Sequence, residues 1–330
     1  MKQLIIPAFG LDQLAFRDVP EPSPGLGEVL VEVKAVSLNY RDLLVAKGLY
    51  NPKMQLPRVP GSDAAGIVVA VGDGVTGVKL GDRVCGTFFQ DWESGPITEA
   101  AGKSALGGAI NGVFAERILL NERGVVPIPT HLSFEEAATL PCAGVTAWNA
   151  LANVHPTQTI LVQGTGGVSL FALQLASAMG AKVLATSSDD AKLAKALELG
   201  ATAGTNYCTH PDWDKWAKEQ TGEGVDLVVE VGGAGTLDRS VKAVRHGGEI
   251  ALIGVLAGGS SFNPLPMMMK SVTLRGIFVG SREMFTAMNV FLEQHSIHPV
   301  VDRVFPFADA ATAFQHLESG KHFGKVVLAL

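Results

Sequence analysis

The residues that most directly suggest chemistry are the glycines of Gly164-Thr165-Gly166-Gly167-Val168-Ser169. Gly164 permits a tight turn, Gly166 lets a phosphate approach the backbone, and Ser169 fills the third position of the pattern, which requires a small residue. An apolar run at 159–163 precedes the turn, and an apolar-periodic stretch that ends at Gly180 follows it. This strand, turn and helix form the unit that receives a dinucleotide pyrophosphate at a helix N-terminus. The predicted cofactor contacts in the turn are Gly164, Thr165, Gly166, Gly167 and Val168.

Length and composition limit the remaining possibilities. The chain has 330 residues and a net charge of −6 without a basic block, which predicts about two domains and argues against a nucleic-acid partner. No apolar run approaches the roughly 18 residues of a membrane helix, and the N-terminus lacks the pattern of a signal peptide. The three cysteines are scattered and form no disulfide framework. We therefore expect a cytoplasmic protein with no membrane partner.

Two patterns of secondary structure divide the chain. Residues 1–126 are rich in short strands and turn signals, whereas strands and helices alternate from Pro127 onward, which is typical of a doubly wound parallel sheet. Ser133 and Glu136 form a capping box at the start of this second part. The segment from 88 to 111 is predicted to be a long loop, and three consecutive methionines, 267–269, are predicted to fill a core or a subunit interface. The fold class is therefore α/β.

Besides the glycine turn, several blocks follow one another in fixed order along the chain. They are Leu38-Asn39-Tyr40-Arg41-Asp42, Val59-Pro60-Gly61-Ser62-Asp63-Ala64-Ala65-Gly66, Gly81-Asp82-Arg83-Val84, the run from Ala138 to Ala147, and His322-Phe323-Gly324-Lys325-Val326-Val327. Together these blocks resemble the medium-chain dehydrogenase/reductase superfamily, and the resemblance covers essentially the whole chain. It implies a GroES-like β-rich catalytic domain from residues 1–126 and 267–330, built around a Rossmann dinucleotide-binding domain from residues 127–266. It also implies a homodimer or homotetramer.

The positions that match the catalytic zinc ligands of this superfamily argue against a metal. The usual cysteine is replaced by Asn39 and the usual histidine by Ser62, so only Cys142 retains a thiol. A zinc site needs about three protein ligands, and one thiolate does not supply them. The segment that carries the structural zinc in zinc-containing members has no cysteine beyond Cys85. No zinc is expected, and Cys142 is interpreted as a small buried residue or a wall of the pocket.

Without zinc, the pattern most resembles the quinone oxidoreductase branch. In that branch, residues at the positions of Asn39 and Tyr50 line the substrate pocket. Hydride delivery to a quinone or an enone builds negative charge on oxygen, which a donor must stabilise. Arg41 either supplies such a donor or pairs structurally with Asp42 or Asp63, and Phe89 and Trp92 either wall the substrate or anchor their loop. The predicted catalytic residues are Asn39, Tyr40, Arg41, Tyr50, Ser62 and Cys142.

The end of the second Rossmann strand indicates the type of nicotinamide cofactor. NAD-preferring sites place an acid there, but Ser187 occupies the matching position, and Ser188 follows it. The hydroxyl groups of these serines suit a 2′-phosphate, and Lys192, one helical turn on, and Tyr207 are predicted to lie near it. Asp189 and Asp190 either bind the ribose or form the start of the next helix. We therefore expect NADPH, with NADH possible. The resemblance adds cofactor contacts from Thr146, Val231, Gly232, Ile253, Val255, Phe278, Val279, Phe323 and Lys325.

Three functions remain open. The first is a zinc-independent, NADPH-dependent oxidoreductase that reduces quinones or α,β-unsaturated carbonyl compounds, with a small-molecule substrate as its partner. The second is an NAD(P)-dependent alcohol dehydrogenase or carbonyl reductase on the same scaffold. The third is a non-catalytic protein that binds NADPH. The glycine turn supports cofactor binding in all three, so it does not separate them.

Overall fold

The computed structural model describes residues 1–254 and 262–330. Val255, which the sequence assigned to the cofactor, lies outside the described residues. The chain forms two compact units. The terminal unit contains Met1–Val145 and Gly280–Leu330, and the inserted unit contains Thr146–Val279.

The first part of the terminal unit contains seven strands and three short helices. A π-helical turn, Leu140–Gly144, closes this part, and α4 begins directly after it. The strands are β1 (Lys2–Ile5), β2 (Ala15–Asp18), β3 (Glu28–Leu38), β4 (Asp63–Val71), β5 (Arg83–Gly86), β6 (Arg117–Asn121) and β7 (Val125–Pro127), and the helices are α1 (Tyr40–Ala46), α2 (Glu99–Gly102) and α3 (Phe134–Ala137).

The inserted unit alternates strands with helices. Its strands are β8 (Thr159–Gln163), β9 (Lys182–Ser187), β10 (Ala203–Asn206), β11 (Val225–Glu230), β12 (Val244–Leu252) and β13 (Thr273–Gly276). Its helices are α4 (Val145–Ala150), α5 (Gly167–Ala178), α6 (Asp190–Glu198), α7 (Trp213–Thr221), α8 (Leu237–Ala243) and α9 (Leu265–Met269). The chain then returns to the terminal unit with α10 (Arg282–Gln294), β14 (Val301–Pro306), α11 (Ala310–Glu318) and β15 (Lys325–Ala329).

The terminal unit is built around a seven-stranded sheet. Its order is β14-β15-β3-β4-β5-β7, and β6 also pairs with β3. The long strand β3 is central because it pairs with β15, β4 and β6, all antiparallel. Its residues from Val33 to Leu38 are mostly buried, and Phe114 and Phe314 meet edge to face in the same core. Strands from both ends of the chain therefore share one sheet.

The inserted unit contains a six-stranded parallel sheet in the order β10-β9-β8-β11-β12-β13. The strand order reverses between β8 and β11, which is the switch point where open parallel sheets bind ligands beyond the carboxyl ends of their strands. The apolar residues of β8 and β11 are buried, as expected for strands covered on both faces. This arrangement confirms the predicted α/β class with a Rossmann-type sheet.

Local signals in the sequence correctly predict several elements. Ser133 accepts the Glu136 N–H, while the Glu136 carboxylate accepts the Ser133 N–H, so the capping box is present. Helix α5 follows the glycine turn as predicted, and α6 begins with Asp189 accepting from the N–H groups of Ala191 and Lys192. The helix-start interpretation of Asp189 is therefore confirmed.

The compact units divide at 145/146 and 279/280, whereas the sequence placed the boundaries at 126/127 and 266/267. Residues 127–145 lie with the terminal unit because Asn289 donates to the Pro127 carbonyl and the Cys142 N–H donates to Asp63. Residues 267–279 lie with the inserted unit because β13 pairs with β12. Hydrogen bonds between distant segments set both boundaries, and such bonds leave no local signal in the sequence.

Two regions differ from the predicted structure. The segment from 88 to 111 contains the short helix α2, and its Phe89 and Trp92 are buried against each other, as expected if they anchor the loop. Among the three methionines, Met268 and Met269 are 68% and 71% exposed, so they do not fill a core of this chain. Met267 alone packs partly against the apolar core of the inserted unit.

No helix among residues 1–254 and 262–330 is both long enough and apolar enough to cross a membrane.

Gly61, just before Ser62 and Asp63, should be intolerant of any side chain. Its φ is +83°, and a Cβ there would overlap the buried ring of Phe114. Gly61→Ala should lower the free energy of unfolding by more than about 2 kcal/mol, because backbone strain and overpacking add. Gly81→Ala is the matched control, since Gly81 has φ +85° and open space around a Cβ, and it should cost about 1 kcal/mol. Urea unfolding of both variants measures the difference, and equal losses would contradict the overlap.

Candidate active site

Three neighbouring strands bring the polar residues of the terminal unit together. Val326 of β15 pairs with Leu38 of β3, and Ser37 of β3 pairs with Asp63 of β4. In this register Lys325, at the start of β15, lies opposite Asn39, which directly follows β3. Lys325, Asn39 and Asp63 therefore lie at one end of the sheet, although they are far apart in the sequence.

Lys325 is the centre of this cluster. Its side chain is only 4% exposed, and its Nζ donates to the Leu38 carbonyl at 2.7 Å and to Asn39 Oδ1. The Asp63 carboxylate lies 3.9 Å from the same nitrogen. A buried ammonium needs such partners because desolvation of a charge is costly. These contacts hold the ammonium inside the terminal unit, and the role of Lys325 in cofactor binding stays a prediction.

Asp63 is fully buried and accepts hydrogen bonds from two neighbours. The Ser62 hydroxyl donates to Oδ1 at 2.6 Å, and the backbone N–H of Cys142 donates to Oδ2 at 3.3 Å. Burial raises the pKa of Asp63, while Lys325, Asn39 and Ser62 partly oppose this rise. Ser62 is itself buried with its hydroxyl committed to Asp63, so the structure gives it a supporting position and does not present it to a substrate.

Asp42 holds the first turn of α1 against the same cluster. Its Oδ2 accepts the backbone N–H of Asn39 at 2.8 Å, and its Oδ1 is buried without a hydrogen-bond partner. Burial raises the pKa of Asp42 to about 6, although the Arg41 guanidinium and the Asn39 N–H act in the opposite direction. The helix start therefore carries a buried carboxyl group that titrates near neutral pH.

The amide nitrogen of Asn39 is only partly engaged. Its Oδ1 accepts from Lys325, whereas Nδ2 is buried without a close hydrogen-bond partner, although the Asn39 side chain is near enough to Asp63 to lower the pKa of that carboxyl group. An unsatisfied buried donor is unfavourable, and in a native protein it commonly indicates a ligand or a catalytic role. Asn39 thus keeps the donor that the sequence predicted for a substrate oxygen.

Arg41 does not form the structural ion pair that was considered for it. No carboxylate of the described residues lies within salt-bridge distance, and its Nη2 donates to the Leu106 carbonyl at 2.8 Å. The guanidinium lies between Phe88 and Tyr50, with ring centres at 4.5 Å and 5.2 Å. Its Nε and Nη1 have no hydrogen-bond partners. Tyr40 and Tyr50 are exposed, which leaves their side chains accessible at the surface of the terminal unit.

Cys142 lies in the π-helical turn with its side chain half-buried. Burial raises the pKa of its thiol, and the carboxylate of Asp63 raises it further, so the neutral thiol predominates. The other two positions that match zinc ligands carry the amide of Asn39, which accepts from Lys325, and the hydroxyl of Ser62, which donates to Asp63. Within residues 1–254 and 262–330, no three His, Cys, Asp or Glu residues are grouped closely enough to hold a metal ion. The residues at this position therefore do not fit zinc.

In the inserted unit, the glycine turn forms an open cradle at the start of α5. A Cβ added at Gly164 or Gly166 would meet no atom within 4 Å, so the space beside both residues is free. Gly164 has φ +70°, which glycine adopts without strain. The Ser169 hydroxyl donates to the Gln163 carbonyl at 2.6 Å and fastens the helix to β8. The cradle and the helix N-terminus fit a dinucleotide pyrophosphate.

The predicted 2′-phosphate residues surround the end of β9. Ser187 is buried, and its Oγ accepts the N–H of Asp189, whereas Ser188 is exposed. Asp190 is held by Asn206, which donates to its carboxylate at 2.7 Å. Lys192 is half-buried, and Tyr207 is exposed directly after β10. Because Asp189 caps the helix and Asp190 pairs with Asn206, both acids have structural partners.

A buried carboxylate that the sequence analysis missed organises the loop after β11. Glu230 is fully buried, and its Oε1 accepts from the N–H groups of Gly232 and Gly233 and from the Thr236 hydroxyl. Its Oε2 accepts from the Gln163 amide and from Ser240. An acid at the carboxyl end of a buried strand, followed by two glycines, is the signal that could have revealed it. The network fixes Val231 and Gly232, two predicted cofactor contacts.

The other predicted cofactor contacts differ in exposure. Phe278 is exposed and Ile253 is half-buried. Val279 has φ +57°, a strained conformation for a β-branched residue, and its carbonyl accepts from Asn149 Nδ2 at 2.8 Å. Phe323 is held in the terminal unit by its N–H, which donates to Asp302. The buried members of the set are Thr146, Thr165, Val279, Phe323 and Lys325.

Comparisons with known proteins agree with this architecture. Residues 25–130 match the family model described as alcohol dehydrogenase GroES-like domain, and residues 167–294 match the one described as zinc-binding dehydrogenase. A zinc-type alcohol dehydrogenase-like protein of Schizosaccharomyces pombe is 46% identical, over 97% of this chain and 96% of its own. The quinone oxidoreductase of Rattus norvegicus is 31% identical, over 95% of this chain and 92% of its own.

Solved structures show the same fold over the full length. An NAD-dependent alcohol dehydrogenase is 36% identical with a TM-score of 0.92, and the two chains cover each other completely. A mycobacterial protein complexed with NADPH is 28% identical with a TM-score of 0.84, again with complete coverage of both chains.

The raised pKa of Asp42 predicts a pH-dependent stability difference. Its pKa of about 6 in the folded state lies above the ordinary value of 3.8, so the folded state binds more protons between these values. The stability contribution of Asp42 is therefore complete below pH 4 and is lost as the pH rises through 6. Asp42→Asn, which retains an acceptor for the Asn39 N–H, should gain about 2 kcal/mol over the wild type between pH 4 and pH 8.

Urea unfolding of the wild type and of Asp42→Asn at both pH values measures this gain. Asp238→Asn removes an exposed carboxylate from α8 and serves as the control variant. A difference between wild type and Asp42→Asn that is the same at pH 4 and pH 8 would contradict the assignment.

Proposed function

The chain belongs to the medium-chain dehydrogenase/reductase superfamily and is an NAD(P)H-dependent oxidoreductase, and from this premise we propose a more specific activity. It is a zinc-independent, NADPH-dependent reductase of quinones or α,β-unsaturated carbonyl compounds. The observation that carries the proposal is the buried Lys325 ammonium, which donates to Asn39 and lies 3.9 Å from Asp63.

Lys325 supports zinc independence by its charge and by its position. The three residues that match zinc ligands are Asn39, Ser62 and Cys142, and the first two are hydrogen-bonded to Lys325 and Asp63 respectively. A divalent cation among them would be repelled by the ammonium and would have only one thiol as a ligand. The same cluster supplies a fixed positive charge and hydrogen-bond donors instead.

The cofactor supplies the hydride when bound. The protein must then stabilise negative charge on the substrate oxygen, and Asn39 Nδ2 is a buried donor without a close hydrogen-bond partner among the described residues. The exposed hydroxyls of Tyr40 and Tyr50 are further donors, and the aromatic ring of Tyr50 with Arg41 offers a flat contact for a quinone or an enone. Acceptors of this class need a hydrogen-bond donor for their oxygen and no metal.

The inserted unit would hold the cofactor. The open cradle at Gly164 and Gly166 suits the pyrophosphate, and the ordered loop at Val231–Gly233 offers backbone groups. Preference for NADPH is supported by the absence of an acid at Ser187 and by the structural roles of Asp189 and Asp190. The related mycobacterial protein complexed with NADPH also supports this preference.

A second candidate is an NAD(P)-dependent alcohol dehydrogenase or carbonyl reductase. It is favoured by the names of the 46% identical zinc-type relative and of the NAD-dependent alcohol dehydrogenase structure. A saturated ketone or aldehyde also develops negative charge on its oxygen during hydride transfer, so Asn39 would serve it in the same way. The substrate preference therefore has to be measured.

We also propose that the protein is a homodimer or homotetramer. Strand β13 lies at the edge of the six-stranded sheet, and the nearby helix α9 exposes Leu265, Met268 and Met269. An exposed sheet edge next to apolar side chains favours association with a second copy.

The main test combines metal analysis with turnover. The purified protein should contain no stoichiometric zinc and should oxidise NADPH with 1,4-benzoquinone and with an enone faster than with a saturated aldehyde.

Two variants test the donors. Asn39→Ala should lower kcat by about 10- to 100-fold, and Tyr50→Phe should lower it by about 3- to 10-fold, because both donors act on the substrate oxygen. The Kd for NADPH should change little in either variant. Stoichiometric zinc, or turnover with aldehydes alone, would favour the second candidate. An unchanged kcat in both variants would show that neither Asn39 nor Tyr50 stabilises the substrate oxygen.

Cofactor preference has its own test at Ser187. Ser187→Asp places a carboxylate where a 2′-phosphate is expected, so the ratio of kcat/KM for NADPH to that for NADH should fall at least about tenfold. Ser319→Asp adds the same charge to an exposed position of the terminal unit and should leave the ratio unchanged. Steady-state kinetics with both cofactors measures the ratio. A ratio that Ser187→Asp leaves unchanged would contradict the placement of the 2′-phosphate.

A further inference from the structure

We infer that Lys325 is a positioning residue that fixes the orientation of the Asn39 amide and thereby turns Nδ2 toward the oxygen of the substrate. This inference rests on the proposed function, because it assigns the reason why Asn39 serves as a donor. It goes further because it names the residue that determines whether the amide nitrogen or the amide oxygen of Asn39 points toward the substrate.

The argument begins with the chemistry of an asparagine side chain. Its amide has one accepting atom and one donating atom, and a rotation of 180° exchanges them. An unrestrained asparagine would therefore present either a donor or an acceptor to a carbonyl substrate. Only the donor stabilises the negative charge that develops on the oxygen.

Lys325 removes this ambiguity. An ammonium group has three N–H donors and no acceptor, so only Oδ1 of Asn39 can face it. The structure shows this contact, together with the bond from the same Nζ to the Leu38 carbonyl at 2.7 Å. Asp63 acts in the same sense, because a carboxylate attracts the amide N–H groups and repels Oδ1. A hydrogen bond from the Asn39 side chain lowers the pKa of Asp63, so the second N–H of Nδ2 is the one left for a substrate oxygen.

The backbone holds both residues in place. Asn39 is fixed by its N–H, which donates to Asp42 Oδ2 at 2.8 Å, and by its position between β3 and α1. Lys325 is fixed by the antiparallel pairing of β15 with β3. Neither side chain can leave the contact without exposing a buried polar group to an apolar surrounding, which is costly. The orientation is therefore set before a substrate binds.

Lys325→Met tests the inference because methionine has a similar length and cannot donate. Its kcat for benzoquinone reduction should fall about 10- to 100-fold, as expected for the loss of a charged hydrogen bond. The Kd for NADPH, measured by fluorescence titration, should stay within about twofold of the wild type. Lys325→Arg keeps the donors and should recover at least part of kcat.

A double variant separates positioning from general structural support. If Lys325 acts through Asn39, then Asn39→Ala/Lys325→Met should turn over within about twofold of Asn39→Ala alone. Lys270→Met is the matched control, because Lys270 Nζ also donates to backbone carbonyls, those of Val241 and Lys242, at a position in the inserted unit. It should lower the melting temperature and leave kcat unchanged.

The outcomes distinguish the inference from the function on which it rests. A wild-type protein without quinone or enone turnover overturns the proposed function, and with it this role of Lys325. An active wild type with an unchanged kcat in Lys325→Met overturns the inference alone. The inference is also overturned if the losses in kcat of the two single variants multiply in the double variant. It is overturned as well if Lys325→Met raises the Kd for NADPH more than tenfold, because this would assign Lys325 to cofactor binding.

Discussion

The candidate site depends on one buried ammonium group. Lys325 is almost fully buried, and it contacts Asn39 and faces Asp63 from the neighbouring strands. Without it, two carboxyl groups, Asp42 and Asp63, would be buried with much less compensating charge. The cluster is possible because β15 returns from the end of the chain to pair with β3. The pairing of β15 with β3 therefore completes the sheet and also brings the ammonium group to the site.

A lysine at this position also changes the chemistry available to the scaffold. A metal ion polarises a substrate oxygen by direct coordination, whereas in the mechanism we propose the ammonium acts through the amide of Asn39. The neutral Cys142 thiol, whose pKa is raised by burial and by Asp63, fits the same surroundings. Quinones and enones suit such a site because a hydrogen-bond donor is sufficient to stabilise their developing charge.

The inserted unit shows a comparable use of buried charge. Glu230 accepts hydrogen bonds from two backbone N–H groups, two hydroxyls and one amide, and these fix the loop beyond β11. Directly after β8, the glycine turn leaves open space where a phosphate fits. A satisfied buried network beside an open cradle provides a preorganised surface for a cofactor.

Sequence alone was sufficient for the α/β class, the glycine turn and the capping box at Ser133, because each is recorded in neighbouring residues or in ordered motifs. The roles assigned to Asn39, Ser62 and Lys325 stay predictions, and the exposure of Met268 and Met269 leaves a subunit interface as the remaining prediction for these two methionines. The unit boundaries, the ammonium beside Asn39, the hydroxyl bound to Asp63 and the network of Glu230 were decided only by tertiary structure. Each depends on strand register or on hydrogen bonds between segments far apart in the chain, and such contacts leave no local pattern in the sequence.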